Sequence, residues 1–211
     1  MPKGDLPITW FDLVVVVMVI VGLMRGRKRG MSQELLDLFM WLGMVAAGAF
    51  TYPISAAYLR SFGLSEVLAN ILAYVGAAAV VAFIFMLLKN ALKDKIAGSD
   101  IFGRLEYPLG MLSGVVRFLC LLIMALALIN AKEITKQERE LAEKKQKEEL
   151  GSSFFPSFGQ IQQDIFEKSF CGKPAKEYLG ILLIKPGSAK SEDLQKKDTL
   201  NKKKQLDEVT K

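Results

Sequence analysis

The sequence predicts an all-α integral membrane protein: four transmembrane helices in a small bundle, followed by a charged helical and largely disordered C-terminal tail. Three observations predict it. Four long apolar stretches cover about residues 7–24, 35–52, 67–88 and 109–130, each close to the roughly 17–25 residues that a helix needs to cross hydrocarbon. The apolar residues, 51% of the 211, pile up before position 131, whereas a soluble domain would spread them along its length. Basic residues are distributed unequally between the short connections. The division is therefore a transmembrane domain over 1–130 and a polar tail over 131–211.

Segment one opens on Thr9-Trp10-Phe11-Asp12. Thr9 and Asp12 have capping-box spacing, which satisfies amides that would otherwise be bare at a membrane edge. Asp12 also suits the positive end of the helix dipole. Trp10 is an interfacial anchor. The segment ends in a basic loop containing Arg25, Arg27, Lys28 and Arg29, which the positive-inside rule holds on the cytoplasmic side. Segment two carries Glu34 and Asp37 at its inner end and Trp41 as an interface or packing aromatic. Gly43 and Ala47, like Ala73 and Ala77 of segment three, have the small-residue spacing of helix packing.

Alternation places the loop around 53–66, with Arg60 alone, outside, and the loop around 89–106, with Lys89, Lys93, Lys95 and Arg104, inside. The two inner loops hold eight basic residues against two (Lys3 and Arg60) in the short outer parts, so both termini are expected outside. Lys132, Lys136, Arg139, Lys144, Lys145 and Lys147 follow segment four, but long segments translocate largely regardless of charge.

Segment four contains Arg117 about halfway along an otherwise uncharged helix. A central Arg costs about 2.5–3.5 kcal/mol on translocon scales, so it must face protein or water. Gly110, Gly114 and Arg117 stand at i, i+4 and i+7, on one face. Gly110 and Gly114 form a GxxxG pattern that admits a neighbouring helix closely. The charged face is thereby expected to be the packing face as well. Helical side chains lean toward their N-terminus, so Asp37 or Glu34 is the expected partner of Arg117, and Asp12, near the other surface, a poorer one. A structural ion pair between segments two and four and a polar pathway are both open.

The tail divides into a charged helix over 131–150, extending segment four; a partly amphipathic stretch over 154–184; and a disordered end over 185–211. Ile161, Ile165, Phe166 and Phe170 line one face of a short helix, set either on the membrane surface or over a partner.

Histidine is absent, which removes the commonest general base and metal ligand. Cys120, deep in segment four, and Cys171, in the tail, make neither a disulfide framework nor a metal site. Ser113 beside Gly114 does not form a nucleophile elbow, and a Ser113–Lys89 pair has nothing else around it. No catalytic residue, cofactor or metal is expected. The net charge of +6 divides evenly between domain and tail, a pattern suited to anionic headgroups rather than nucleic acid. The expected partners are the lipid bilayer and a membrane protein or a second copy.

Two stretches resemble the colicin V production protein (CvpA) family of bacterial inner-membrane proteins. The first is Trp10-Phe11-Asp12 followed by Arg29-Gly30, Glu34, Leu36, Leu38 and Trp41. The second is Leu109-Gly110, Gly114 and Arg117, with Glu106 and Tyr107 standing where the family shows Asp and Arg, and Phe118 where a Gly often follows. The resemblance covers about residues 8–130. It implies a multi-pass protein of the bacterial inner membrane that supports toxin (bacteriocin) production or export or envelope homeostasis; the loop charges separately predict periplasmic termini, and the absence of a positioned base predicts no enzymatic activity. The alternative is a small transporter or channel subunit with Arg117, Asp37 and Glu34 along a polar path.

Overall fold

The computed structural model describes residues 9–96, 102–132, 134, 138 and 158–187. Those residues are helical, with one isolated bridge between Lys132 and Gly187. Four long helices come first: α1 (Trp10–Arg29), α2 (Met31–Ser61), α3 (Glu66–Ile96) and α4 (Glu106–Ile129). A short C-terminal module follows, with α5 (Phe158–Gln163) running into a π turn (Asp164–Lys168), then α6 (Gly172–Tyr178) and a 3-10 turn (Gly180–Leu182).

Helices two and three outrun the apolar segments that predict them. Apolar length measures what hydrocarbon can cover, whereas a helix continues until its hydrogen bonds are interrupted. α2 passes through Pro53 and stops at Ser61, before Gly63 with φ 85°. Pro inside a membrane helix is tolerated where neighbours restore the lost bonding.

The helices lie side by side in the order α1–α4–α2–α3, with α1 and α3 at the edges. α1 and α4 run antiparallel, with Gly22 over Gly114 and Gly26 over Gly110. α2 and α3 also run antiparallel, with Gly43 on Val81 and Gly48 on the ring of Tyr74. The small bundle is thus arranged as an open row. Small residues flatten the contacting faces, and lateral burial then needs no closure into a square. Large apolar side chains remain exposed along both edges, among them Val16, Val17 and Ile20 of α1 and Phe83, Ile84 and Met86 of α3.

By length and composition three helices can cross a membrane: Met31–Ser61, Glu66–Leu92 and Gly103–Ile129. α1 is the exception to the four expected. It has 20 residues, with Asp12 in its first turn and Arg25, Arg27, Lys28 and Arg29 toward its end, so every 18-residue stretch of it carries at least three charges.

The C-terminal module is folded against the Asp12 end of the row. Ile165, Phe166, Leu183 and Ile184 join Phe11, Tyr52, Ala56, Leu126 and Ala131 in one buried core. The amphipathic stretch thus packs on the chain's own helices. Phe170, expected on the buried face, is 69% exposed, because the chain leaves helical geometry at Ser169. The expected helical extension of α4 does not begin at 131. Asn130 donates to the Ile184 carbonyl (2.9 Å) and the Ala131 carbonyl accepts from the Gly187 amide (3.0 Å), so tertiary bonds replace the helical ones. Lys185 to Gly187, expected to be disordered, belong to the docked module: the Lys185 amide donates to the Tyr52 hydroxyl at 3.0 Å. The rest of the charged stretch, apart from residues 134 and 138, and residues 188–211 lie outside the described residues.

Candidate functional site

At the Gly30 end each of the four long helices contributes to one ion network. Glu34 and Asp37 stand one turn apart on α2 and point toward α4, where Arg117 leans back toward its own N-terminus. The Arg117 guanidinium reaches Glu34 at 3.0 Å and Asp37 at 3.7 Å. Arg29, at the end of α1, reaches the same two carboxylates at 3.3 and 3.5 Å. The Lys89 ammonium of α3 donates to Asp37. Glu34 is fully buried and Asp37 nearly so, while Arg29 and Lys89 are partly open to the surface.

Two acids thus meet three cations. A buried carboxylate is tolerated only when paired and hydrogen-bonded, and Glu34 receives guanidinium groups from two helices. Both acids expected for Arg117 are its partners. Arg29 and Lys89 complete the set, although sequence spacing does not place them there; the only hint is that two buried acids beside one Arg leave a charge unmatched. Lys89 is committed to Asp37, and the buried Ser113 hydroxyl has no partner among the described residues.

Beside the network, Glu106 of α4 fixes the start of α2. Its carboxylate accepts from the Ser32 amide at 2.6 Å and from the Ser32 hydroxyl at 2.8 Å. This supplies the cap that Gly30 lacks, since Gly30 has no side chain and turns the chain at φ 76°.

Gly110 and Gly114 do form a packing face, but against α1, whereas Arg117 faces α2. The expectation of one shared face is corrected: α4 sits between two helices and uses adjacent flanks. The glycines that complete the contact are Gly22 and Gly26. A Cβ on Gly22 would lie 2.9 Å from the Gly114 carbonyl oxygen, and one on Gly110 2.6 Å from that of Gly26. The four-residue spacing of Gly22, Gly26 and Gly30 was the available signal. Gly43 and Ala47 lie on α2 toward α3. Ala47 lines an apolar groove of about 720 Å³ with Ala73, Gly76 and Ala77.

Asp12 sits at the far end and makes no contact with Arg117. Its carboxylate accepts from the Thr9 amide (2.8 Å) and hydroxyl (3.0 Å), as a cap should. It also accepts from the Ser169 hydroxyl at 2.7 Å and from the Phe170 and Cys171 amides at 3.2 and 2.9 Å. One carboxylate therefore starts α1 and latches the C-terminal module. Burial, reinforced by the hydrogen bond and charge of Asp12, pushes the Cys171 thiol pKa above its ordinary value. Cys120 and Cys171 are both free. Trp10 is about half exposed and Trp41 half-buried; Arg25, Arg27 and Lys28 are exposed.

In comparisons with known proteins, the family described as Colicin V production protein matches residues 11–160. No curated protein and no solved structure matches the chain. The matched stretch contains Asp12, Glu34, Asp37, Gly110, Gly114 and Arg117, and ends inside α5.

Proposed function

The chain belongs to the Colicin V production protein family, and from that premise we propose that it is a non-enzymatic, multi-pass component of the bacterial inner membrane that supports bacteriocin production or export. In this reading all four long helices span. α1 does so with Asp12 shielded by the docked module and its terminal basic residues reaching the opposite headgroups. The basic Gly30 end faces the cytoplasm. The N-terminus and the module over 158–187 face the periplasm. The protein acts by assembly, with itself or with another membrane protein, through the exposed apolar edges of the row.

The observation that carries this reading is the shared ion network. Four helices are tied at one level by two acids and three cations, with Glu34 wholly enclosed. Such an arrangement suits a locked scaffold better than a conducting path, because a path needs carboxylates that water can reach. Cells lacking the protein and complemented with Glu34→Leu are expected to lose bacteriocin release. In vivo crosslinking of the wild type is expected to yield a defined membrane partner or a dimer. Ion or solute flux in proteoliposomes, with no crosslinked species, would favour the small-transporter alternative lined by Arg117, Asp37 and Glu34. Impermeant maleimide on intact spheroplasts tests the orientation: Ser61→Cys, beside the module end, should label from outside.

A further inference from the structure

Arg25, Arg27 and Lys28 leave the end of α1 away from the ion network. They are exposed, and none holds an ion pair among the described residues. The carboxylates at this end are committed elsewhere: Glu34 and Asp37 to Arg29, Lys89 and Arg117, and Glu106 to Ser32. Met24 and Lys28, one turn apart, form a ridge between two clefts. One, of about 520 Å³, is lined by Met24, Arg27, Lys28 and Tyr107 of α4. The other, of about 400 Å³, is lined by Val21, Met24, Arg25, Lys28 and Arg29. Each has an apolar wall and a cationic mouth. On α1, Val21 and Met24 lie toward the middle of the helix and the cations toward its end, where Tyr107, in the first turn of α4, stands level with them. Val21, Met24 and Tyr107 are 42%, 59% and 61% exposed. α1 is an edge helix, so no other helix of the row covers this ridge.

We infer that the Gly30 end of α1 is a binding site for an anionic phospholipid. The phosphate sits between Arg25 and Lys28, and an acyl chain lies along Val21 and Met24 in the second cleft. The inference rests on the reading that α1 is embedded in the bilayer. Charge complementarity selects an anionic headgroup, because a neutral lipid would leave Arg25 and Lys28 uncompensated at the hydrocarbon boundary. The apolar walls select a lipid over a free anion, which has no use for them.

The test uses the full-length protein in neutral detergent, titrated with phosphatidylglycerol or phosphatidylcholine, with retained lipid read by native mass spectrometry. Phosphatidylglycerol should be retained and phosphatidylcholine lost. The double variant Arg25→Gln/Lys28→Gln should weaken phosphatidylglycerol binding about thirtyfold, the equivalent of about 1 kcal/mol per cation near a lipid surface. Arg60→Gln, at the opposite end, should leave it unchanged. Both cations of the double variant are exposed, so its helix content and melting should match wild type. Equal retention of the two lipids, or unaltered affinity in the double variant, overturns the site. Displacement of the lipid by inorganic phosphate would assign the cations to a free anion and also overturn it. Failure of the embedding itself reads differently: the protein would stay in the supernatant of broken cells without detergent, whichever lipid is offered.

Discussion

Removing Glu34 should destabilise the protein more than removing Arg117, and charge counting in the network gives the reason. The intact cluster has two acids and three cations. Arg117→Leu leaves two of each, and Glu34 keeps Arg29 at 3.3 Å. Glu34→Leu leaves one acid among three cations, with Arg117 reduced to Asp37 at 3.7 Å. Breaking a buried pair by removing one partner costs about 3–5 kcal/mol. Glu34→Leu should fall at the upper end of that range. Arg117→Leu should cost about 2–3 kcal/mol, because the surviving carboxylate is still paired. The double variant removes both members of the closest contact to Arg117, at 3.0 Å. It should recover about 1–3 kcal/mol relative to the sum of the single changes. Reversible unfolding in mixed micelles, followed by circular dichroism against denaturant, measures all three. Additivity within about 0.5 kcal/mol would show that the two side chains do not interact. A larger loss for Arg117→Leu than for Glu34→Leu would refute the charge argument while leaving the contact itself intact.

Gly26→Ala should destabilise by about 1–3 kcal/mol or more, since its Cβ would meet the Gly110 carbonyl oxygen; Gly76→Ala, with open space around its Cβ, should be neutral in the same melting experiment. Asp12→Ala removes the acceptor of the Ser169 hydroxyl and of the Phe170 and Cys171 amides, and should loosen the C-terminal module by about 2–4 kcal/mol. Hydrogen exchange would then accelerate at those two amides while the centre of α4 stays protected; unchanged protection would refute the latch. The raised Cys171 pKa keeps the thiol neutral to higher pH than an ordinary cysteine, so maleimide should react slowly near pH 8 and faster as pH rises. Asp12→Asn should raise the rate near pH 8; equal rates would show that the carboxylate does not act on the thiol.

Much of the structure is legible in the sequence because it is set locally. Apolar run length predicted four helices, and α1 to α4 form at those places. The Thr9–Asp12 spacing located the start of α1. The energetic cost of a mid-segment Arg identified Arg117 and required an acid, and direction along the helix named Glu34 and Asp37. These inferences need only helix geometry and the price of charge in hydrocarbon.

Other features depend on which faces meet, and no local pattern fixes that. The lateral order α1–α4–α2–α3 brings Arg29 and Lys89 to carboxylates that sequence assigns to Arg117 alone. It also turns Gly110 and Gly114 toward Gly22 and Gly26 instead of toward α2. Glu106 finds Ser32 across 74 positions. The tail carries too few apolar residues to predict a fold by itself. It is ordered over 158–187 because the Asp12 end of the row offers both an apolar surface, through Phe11, Tyr52 and Leu126, and a carboxylate that gathers three of its donors. Composition determined that these helices form and that three of them are apolar enough to cross a membrane. Their mutual arrangement was decided by small-residue contacts and charge pairs between distant parts of the chain, which exist only once the helices are side by side.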